Sequence, residues 1–334
     1  MSTHILLDHG SGGLASQRLI KEVFVRHLGN PALAPLNDAA CLEISGPVAM
    51  STDTFTVTPL FFPGGDIGSL AVHGTVNDVA MSGAVPRYLS CGFVLEEGLD
   101  MDTLDRIVAS MAQAASRAAV RIVTGDTKVV PKGAVDQVFI NTTGLGEIQM
   151  DNPPQGSRAR PGDMVLINGT LGDHGLAVLA QREGLRFQTP VHSDSAALHH
   201  LVYKLIHTVG DLHVLRDPTR GGLATTIKEI AEQSEVSIEL DEAALPVDAG
   251  VKEGCAFLGL DPMFLANEGK MICIVPENRA EQAVAVMRDD PLGARAAVIG
   301  RVRSGNPGRV VLNTGIGGRR LVHMLEGEQL PRIC

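Results

Sequence analysis

A chain of 334 residues exceeds one ordinary hydrophobic core and predicts about two domains. With 44% apolar and 20% charged residues it can bury a large core, which excludes disorder as its ground state. Its 28 Lys+Arg stand against 38 Asp+Glu, a formal charge of −10, and it holds no Trp and two Tyr, so it suits neither a phosphate backbone nor base stacking and no nucleic acid is expected.

The first residues, Met1 to Asp8, lack the basic region and the apolar run of a signal peptide, and no stretch approaches a membrane span. Five scattered cysteines with no CxxC pair fit a reducing compartment, so a cytoplasmic protein with no membrane contact is expected. In chain order, the periodicity predicts a helix from Leu14 to about Leu28 and strands at Pro47–Thr52 and Leu89–Leu95. A helix follows at Met101–Ala119, with Leu104, Ile107, Val108, Met111 and Ala115 on one face and Asp100 or Asp102 as cap. Strands at Val120–Thr124 and Gln137–Leu145 complete a first domain, residues 1–150. Three prolines and two glycines between Asp151 and Asp163 mark the boundary.

The second domain, residues 162–318, reads as strand Met164–Asn168 and helices Asp173–Arg182, Ser195–Thr208 and Gly222–Ser234. Strands Val236–Leu240 and Lys270–Val275, helix Glu277–Arg288 and strands Ala296–Arg303 and Val310–Leu312 follow. Both halves therefore mix α and β. Residues 323–334 show neither period and are expected to form a mobile tail, docked loosely or free.

Several motifs carry chemistry. Gly10, Ser11, Gly12 and Gly13 form a turn before the first helix, where backbone N–H groups can approach a polyanion, although a structural turn would look the same. There is no GxxxxGK[ST] and no GxGxxG after a strand. Asp38, Asp53, Asp78 and Asp126 each stand in an apolar or turn context, and Asp53 and Asp126 come directly after strand-like runs. Converging carboxylates need cations, a need that Mg²⁺ with a triphosphate meets; singly, each is also a plausible cap. Lys128 lies two residues beyond Asp126 and shares its face of an extended chain. Glu268 precedes a strand and could point across an interdomain cleft; alone, Lys128 and Glu268 read as surface charges. Asp217-Pro-Thr-Arg-Gly-Gly222 opens a helix as an anion cradle of low specificity, and His199 and His200 are expected on different helix faces. Cys41, Cys91, Cys255 and Cys273 are expected to be buried, whereas Cys334 ends the tail, its pKa raised by the adjacent carboxylate and partly offset by Arg332.

Together these residues resemble the superfamily of AIR synthetase, selenophosphate synthetase and thiamine-monophosphate kinase. The likeness runs from the Gly-rich start through Asn37-Asp38-Ala-Ala, Ser51-Thr-Asp53, Gly74-Thr-Val-Asn-Asp78-Val-Ala-Met-Ser-Gly83 and Gly125-Asp-Thr-Lys128 to Asp217-Pro-Thr-Arg-Gly-Gly222 and Asn267-Glu-Gly-Lys270. The ending Pro331-Arg-Ile-Cys334 resembles the HypE family of hydrogenase maturation proteins within that group.

That resemblance implies an α+β, two-domain AIR synthetase-like fold whose first domain dimerises through its sheet, a C-terminal α/β sandwich and a flexible tail. It implies a homodimer, ATP and Mg²⁺ as cofactors, a carbamoyltransferase HypF that loads Cys334, and the HypC–HypD complex as cyanide acceptor. The activity implied is ATP-dependent dehydration of the S-carbamoyl group to a thiocyanate, for the iron of [NiFe] hydrogenase. Cys334, Lys128 and Glu268 would be catalytic. Asp38, Asp53, Asp78 and Asp126 would hold metal and nucleotide, with Asn77, Thr127 and the Gly10–Gly13 turn beside them. A synthetase or kinase acting on a free small molecule, or a non-catalytic cysteine carrier, are the competing expectations.

Overall fold

The computed structural model describes residues 3–187, 189–325, 327 and 330–334. The 3-10 turn Leu7–Gly10 leads into helix α1 (Leu14–Leu19), a π-helical stretch Ile20–Val25 and α2 (Arg26–Leu28), one continuous rod over the predicted span. Strand β1 (Val48–Phe55) precedes a short hairpin, β2 (Phe61–Phe62) and β3 (Gly65–Asp66). Helix α3 (Ile67–Met81), β4 (Ala84–Glu96), α4 (Met101–Arg117), β5 (Arg121–Val130) and β6 (Val138–Ile148) follow. The four long strands form one sheet in the order β1-β6-β4-β5, antiparallel except for the β4–β5 pair.

Helix α4 behaves as its sequence demands: Leu104, Ile107, Val108, Met111 and Ala115 are buried, and the Asp100 carboxylate caps it by accepting from Thr103 N at 2.9 Å. Helix α3 was not predicted. It is buried all round, from Ile67 and Leu70 through Val72, Val76 and Val79, so it lacks the polar stripe that betrays an amphipathic helix. It lies so close to the sheet that a Cβ on Gly146 would sit 2.5 Å from Val79 Cγ1. The small residues of Gly74–Gly83 therefore serve this internal packing. The opposite face of the sheet is open, with Val48 45% and Met50 69% exposed.

The second domain contains β7 (Met164–Ile167), α5 (Asp173–Glu183), α6 (His199–Thr208), β8 (Val214–Arg216), α7 (Gly222–Gln233) and β9 (Ser237–Asp241). It continues with α8 (Ala249–Leu258), β10 (Ile272–Val275), α9 (Glu277–Arg288), β11 (Ala297–Arg303), β12 (Val310–Asn313) and β13 (Arg319–Val322). Seven strands form a sheet in the order β13-β12-β9-β11-β7-β10-β8. Strand alternation sends Val165 and Ile167 to one face, against Ile227 and Ile230 of α7. Leu166 goes to the other, with Leu201 and Leu205 of α6 and Met287 of α9. No helix among the described residues is long and apolar enough to cross a membrane.

The two domains meet where α6 and the segment before it pack on α3. Asn77, 1% exposed on α3, is the polar fastener. Its Nδ2 donates to the Ala196 carbonyl at 2.9 Å and the Glu268 carbonyl at 3.3 Å, and its Oδ1 accepts from Leu198 N at 2.8 Å. All the polar atoms of this side chain are thus engaged between domains, which corrects the expectation that Asn77 faces a nucleotide. Replacing it leaves a buried N–H and two carbonyls short of a partner. Asn77→Ala is expected to lower the unfolding free energy by about 2–3 kcal/mol in urea titrations followed by circular dichroism.

Candidate active site at the domain junction

The end of the chain is seated, not loose. Main-chain oxygens carry most of the attachment. Arg182 on α5 donates from Nη1 to the Pro331 carbonyl and from Nη2 to the Arg332 carbonyl, both at 2.7 Å, and from Nε to Thr58 O at 2.8 Å. His174, at the start of the same helix, faces the Ile333 carbonyl with Nε2 at 2.8 Å. A carbonyl only accepts, so Nε2 carries the proton, and Nδ1 accepts from Ser193 Oγ at 2.8 Å. Burial holds His174 below its ordinary pKa and neutral, as this arrangement requires.

Thr56 N donates to the Cys334 main-chain oxygen at 3.0 Å, and Arg332 pairs with Asp136 at 2.6 Å. Ile333 is 5% exposed and joins the core of the first domain. Of the two expectations for the tail, docked loosely or free, residues 330–334 show the docked form, in which this burial and bonding offset the entropy of ordering a few residues. Glu326, Glu328 and Gln329 of the expected tail lie outside the described residues.

The seat brings Cys334 to a group of carboxyls drawn from both domains. Asp53 stands on β1; Asp78 on α3 accepts from Ser51 Oγ at 2.6 Å. Asp217 follows β8, and Glu268, 3% exposed, lies in the loop before β10. That loop is held rigidly: the buried Asp194 carboxylate accepts from Glu268 N at 3.2 Å, Gly269 N at 3.0 Å and Lys270 Nζ at 3.0 Å. Glu268 thus lies at the junction, near enough to Asp53 and Asp78 of the first domain to feel their charges.

Its Oε1 is buried with no hydrogen-bond partner among the described residues. Burial, then the charges of Asp194, Asp217, Asp53 and Asp78, push the Glu268 pKa well above its ordinary value. Burial and Asp78 raise Asp53 to about 6, against the pull of Arg220. Burial and then Asp78 raise Asp217 as well. The Cys334 thiol is pushed up to about 12 by burial and by Glu268 and Asp53, again opposed by Arg220. Arg332 was expected to offset the thiol; its guanidinium is instead turned to Asp136 and Thr56 O, and Arg220 takes that place.

A second feature lies across the sheet. A cavity of about 740 Å³, within the size range of small-molecule sites, is lined by Gly10 and Gly12, by Asp126, Thr127 and Lys128 of β5, and by residues flanking Asp38. A Cβ on Gly10 would meet Val129 N at 2.7 Å, so glycine lets the turn lie against β5. Asp126 lies inside β5 rather than after a strand, and likewise Asp53 inside β1. The i, i+2 pairing holds: Lys128 Nζ lies 2.9 Å from Asp126 Oδ2 and, by hydrogen bonding first, lowers its pKa.

The four aspartates do not converge in one chain. Asp53 and Asp78 meet on the α3 side of the sheet, whereas register places Asp126 and Lys128 on the open face, on the opposite edge strand, about 14 Å across three strand spacings. Lys128 and Glu268 are accordingly apart, and among the described residues no group of three His, Cys, Asp or Glu could hold a metal. One smaller expectation is also corrected. Cys41 is exposed, although Cys91, Cys255 and Cys273 are buried. His199 is buried and His200 exposed, as residues on different helix faces would be, although their rings lean together with centroids 3.9 Å apart at an interplanar angle of 42°. His174 and Arg182 escaped sequence reading because they grip main chain, which leaves no motif.

The model of the AIR synthase related protein N-terminal domain matches residues 36–148, and that of its C-terminal domain residues 160–313. The carbamoyl dehydratase HypE of Azotobacter vinelandii is 53% identical over 327 residues, 98% of this chain and 96% of that protein. The Escherichia coli K12 carbamoyl dehydratase HypE is 47% identical over 337 residues, 99% of each. A crystal structure of the hydrogenase maturation protein HypE in complex with ATP superimposes with a TM-score of 0.97 at 64% identity, over 98% of this chain and 99% of that one. A HypE–HypF complex aligns at 0.82 with 48% identity, over 92% and 99% of the two chains.

The carboxyl group predicts a pH signature. Because the fold raises Asp53 from about 3.9 to about 6, its neutral form is favoured, and that stabilisation is full below pH about 4 and lost as pH rises through 6. Asp53→Asn removes the loss, so the variant should gain stability relative to the parent between pH 4 and 7. Urea unfolding across that range, without nucleotide, measures the difference.

Proposed function

The chain belongs to the AIR synthase related family and, within it, to the HypE carbamoyl dehydratases, and from that membership we infer that it dehydrates an S-carbamoyl group on Cys334 to a thiocyanate at the cost of ATP. The observation that carries this reading is the seat itself: four main-chain oxygens from Pro331 to Cys334 are held, which brings the thiol close enough to Glu268 for that carboxyl to raise its pKa. A carrier that merely ferried a group would have no need of such a pocket.

The chemistry follows from the groups present. Hydroxide leaves an amide carbon poorly, so the carbamoyl oxygen must first take a phosphoryl group, and two N–H protons must then be removed. Glu268 is the residue we assign to taking those protons: its ionised form is the base, and a raised pKa makes that form a stronger base than an ordinary carboxylate. Cys334 is loaded by a HypF carbamoyltransferase, and since the thiol is half-buried the tail must leave its seat to be loaded and to hand the cyano group to a HypC–HypD acceptor.

Asp53 and Asp78 suit Mg²⁺, which takes one or two carboxylates together with phosphate oxygens and would neutralise the charge of a triphosphate there. The cavity beside Gly10, Gly12, Asp126 and Thr127 fits the nucleotide by size and by the glycine backbone and Lys128 side chain that line it. A homodimer joins these halves. If the open sheet faces pack about a two-fold axis running along the strands, β5 of one chain lies across from β1 of its partner. Lys128 and Asp126 then approach the partner's Asp53 edge, which restores the grouping the sequence suggested.

Two experiments test this. Intact mass after incubation with HypF, carbamoyl phosphate and ATP should show a loaded chain that loses one water, with an ¹⁸O label on the carbamoyl oxygen recovered in phosphate; Cys334→Ala should remain unmodified. Phosphate free of label would refute the O-phosphorylation step. Light scattering should find a dimer at micromolar concentration for the parent and a monomer for Met50→Asp, which places a charge on the open face.

A further inference from the structure

One charged group at the junction has no part in the scheme above. Arg220 lines a cavity of about 340 Å³ together with Thr54, Thr56, Gly221 and Cys334. Among the described residues, each neighbouring cation is already engaged. Arg216 pairs with Glu229 at 2.7 Å, Lys270 with Asp194 at 3.0 Å, Arg332 with Asp136 at 2.6 Å, and Arg182 with three carbonyls.

Arg220 makes no hydrogen bond or ion pair among those residues and is exposed at the cleft mouth. It is nonetheless close enough to Asp53, Asp78 and Cys334 to lower all three. Its backbone setting is demanding. Gly221 and Gly222 take φ of +77° and +61°, and a Cβ on Gly222 would lie 2.5 Å from Leu265 O, so the corner that presents Arg220 tolerates only glycine.

The reaction brings a polyanion to a place crowded with carboxyls, and a planar guanidinium with five donors is the side chain suited to meet it. We propose that Arg220 is a catalytic residue of the dehydration, binding the phosphoryl group as it passes to the carbamoyl oxygen and as it departs. This rests on the dehydratase reading. The carbamoyl oxygen attacks the terminal phosphorus of ATP, the bond from that phosphorus to the bridging oxygen breaks, and ADP leaves with the electron pair. The nitrogen loses one proton to give an O-phosphorylated imidate on sulfur. It then loses its second proton as the carbon–oxygen bond breaks toward phosphate, leaving S–C≡N; the other products are ADP, phosphate carrying one of the two protons, and one proton released through the base to solvent. The phosphoryl group stays anionic through the transfer and gains negative charge as it departs from carbon as phosphate, and Arg220, which lines the same cavity as Cys334, is the cation available to it.

The test uses the full-length chain loaded by HypF, followed by quenched single-turnover mass spectrometry after ATP addition. Arg220→Gln should load as the parent does and bind ADP with parental affinity by calorimetry. It should form thiocyanate about 100-fold more slowly, the loss typical of removing one donor aimed at developing charge. Arg220→Lys should fall between, and added guanidinium chloride should accelerate Arg220→Ala but not the parent. A parental rate in Arg220→Gln would overturn the proposal, as would impaired loading or faster alkylation of Cys334, either of which reassigns Arg220 to docking or tail seating. If the parent itself loses no water, the dehydratase reading fails; if the parent reacts and the variants match it, only this proposal does.

Discussion

Burial of carboxyl groups close to one another governs this molecule's junction. Asp53, Asp78, Asp217 and Glu268 come from four separate elements of two domains; burial raises all four, and neighbouring carboxyls add to the shift of Asp53, Asp217 and Glu268. Such a cluster is stable only while it keeps protons or meets cations. The first condition falls most heavily on Glu268, whose buried carboxyl holds a proton more readily than an ordinary one. The second makes the site a receptor for a metal–nucleotide complex and gives an unpaired arginine at its rim a purpose.

The cluster exists because the domains are locked in one orientation, and the lock is a chain of polar contacts rather than an apolar interface alone. Asn77 binds the segment before α6 and the Glu268 loop. Asp194 then fixes that loop from behind with two N–H groups and an ammonium. A charge pair buried this deeply contributes little net stability. Here it keeps the Glu268 backbone in one place while the side chain stays unpartnered and free to act.

Against that rigid wall the tail is held by contacts that can be made and broken. Each is a hydrogen bond to main chain or an exposed ion pair, and only Ile333 adds substantial apolar burial. Contacts of this size, about 1 kcal/mol each, hold a short segment without trapping it. A residue that must be loaded by one protein, react in a closed site and deliver to another needs an attachment in that range.

Sequence alone determined the periodic parts: the amphipathic α4 with its Asp100 cap, the shared face of Asp126 and Lys128, the two-domain α+β plan and the importance of Cys334. It could mark Glu268, a charge directly before an apolar strand, only as a residue able to reach a cleft, since a surface charge would read the same. Tertiary structure decided the rest. Helix α3 is invisible to periodicity because it is apolar on every side, so the residues that carry Asn77 and Asp78 went unassigned. The division of four aspartates between two faces of one sheet depends on strand order and register, which spacing along the chain does not encode. His174 and Arg182 acquire their role only from where α5 lies, since they bind carbonyls that every residue possesses.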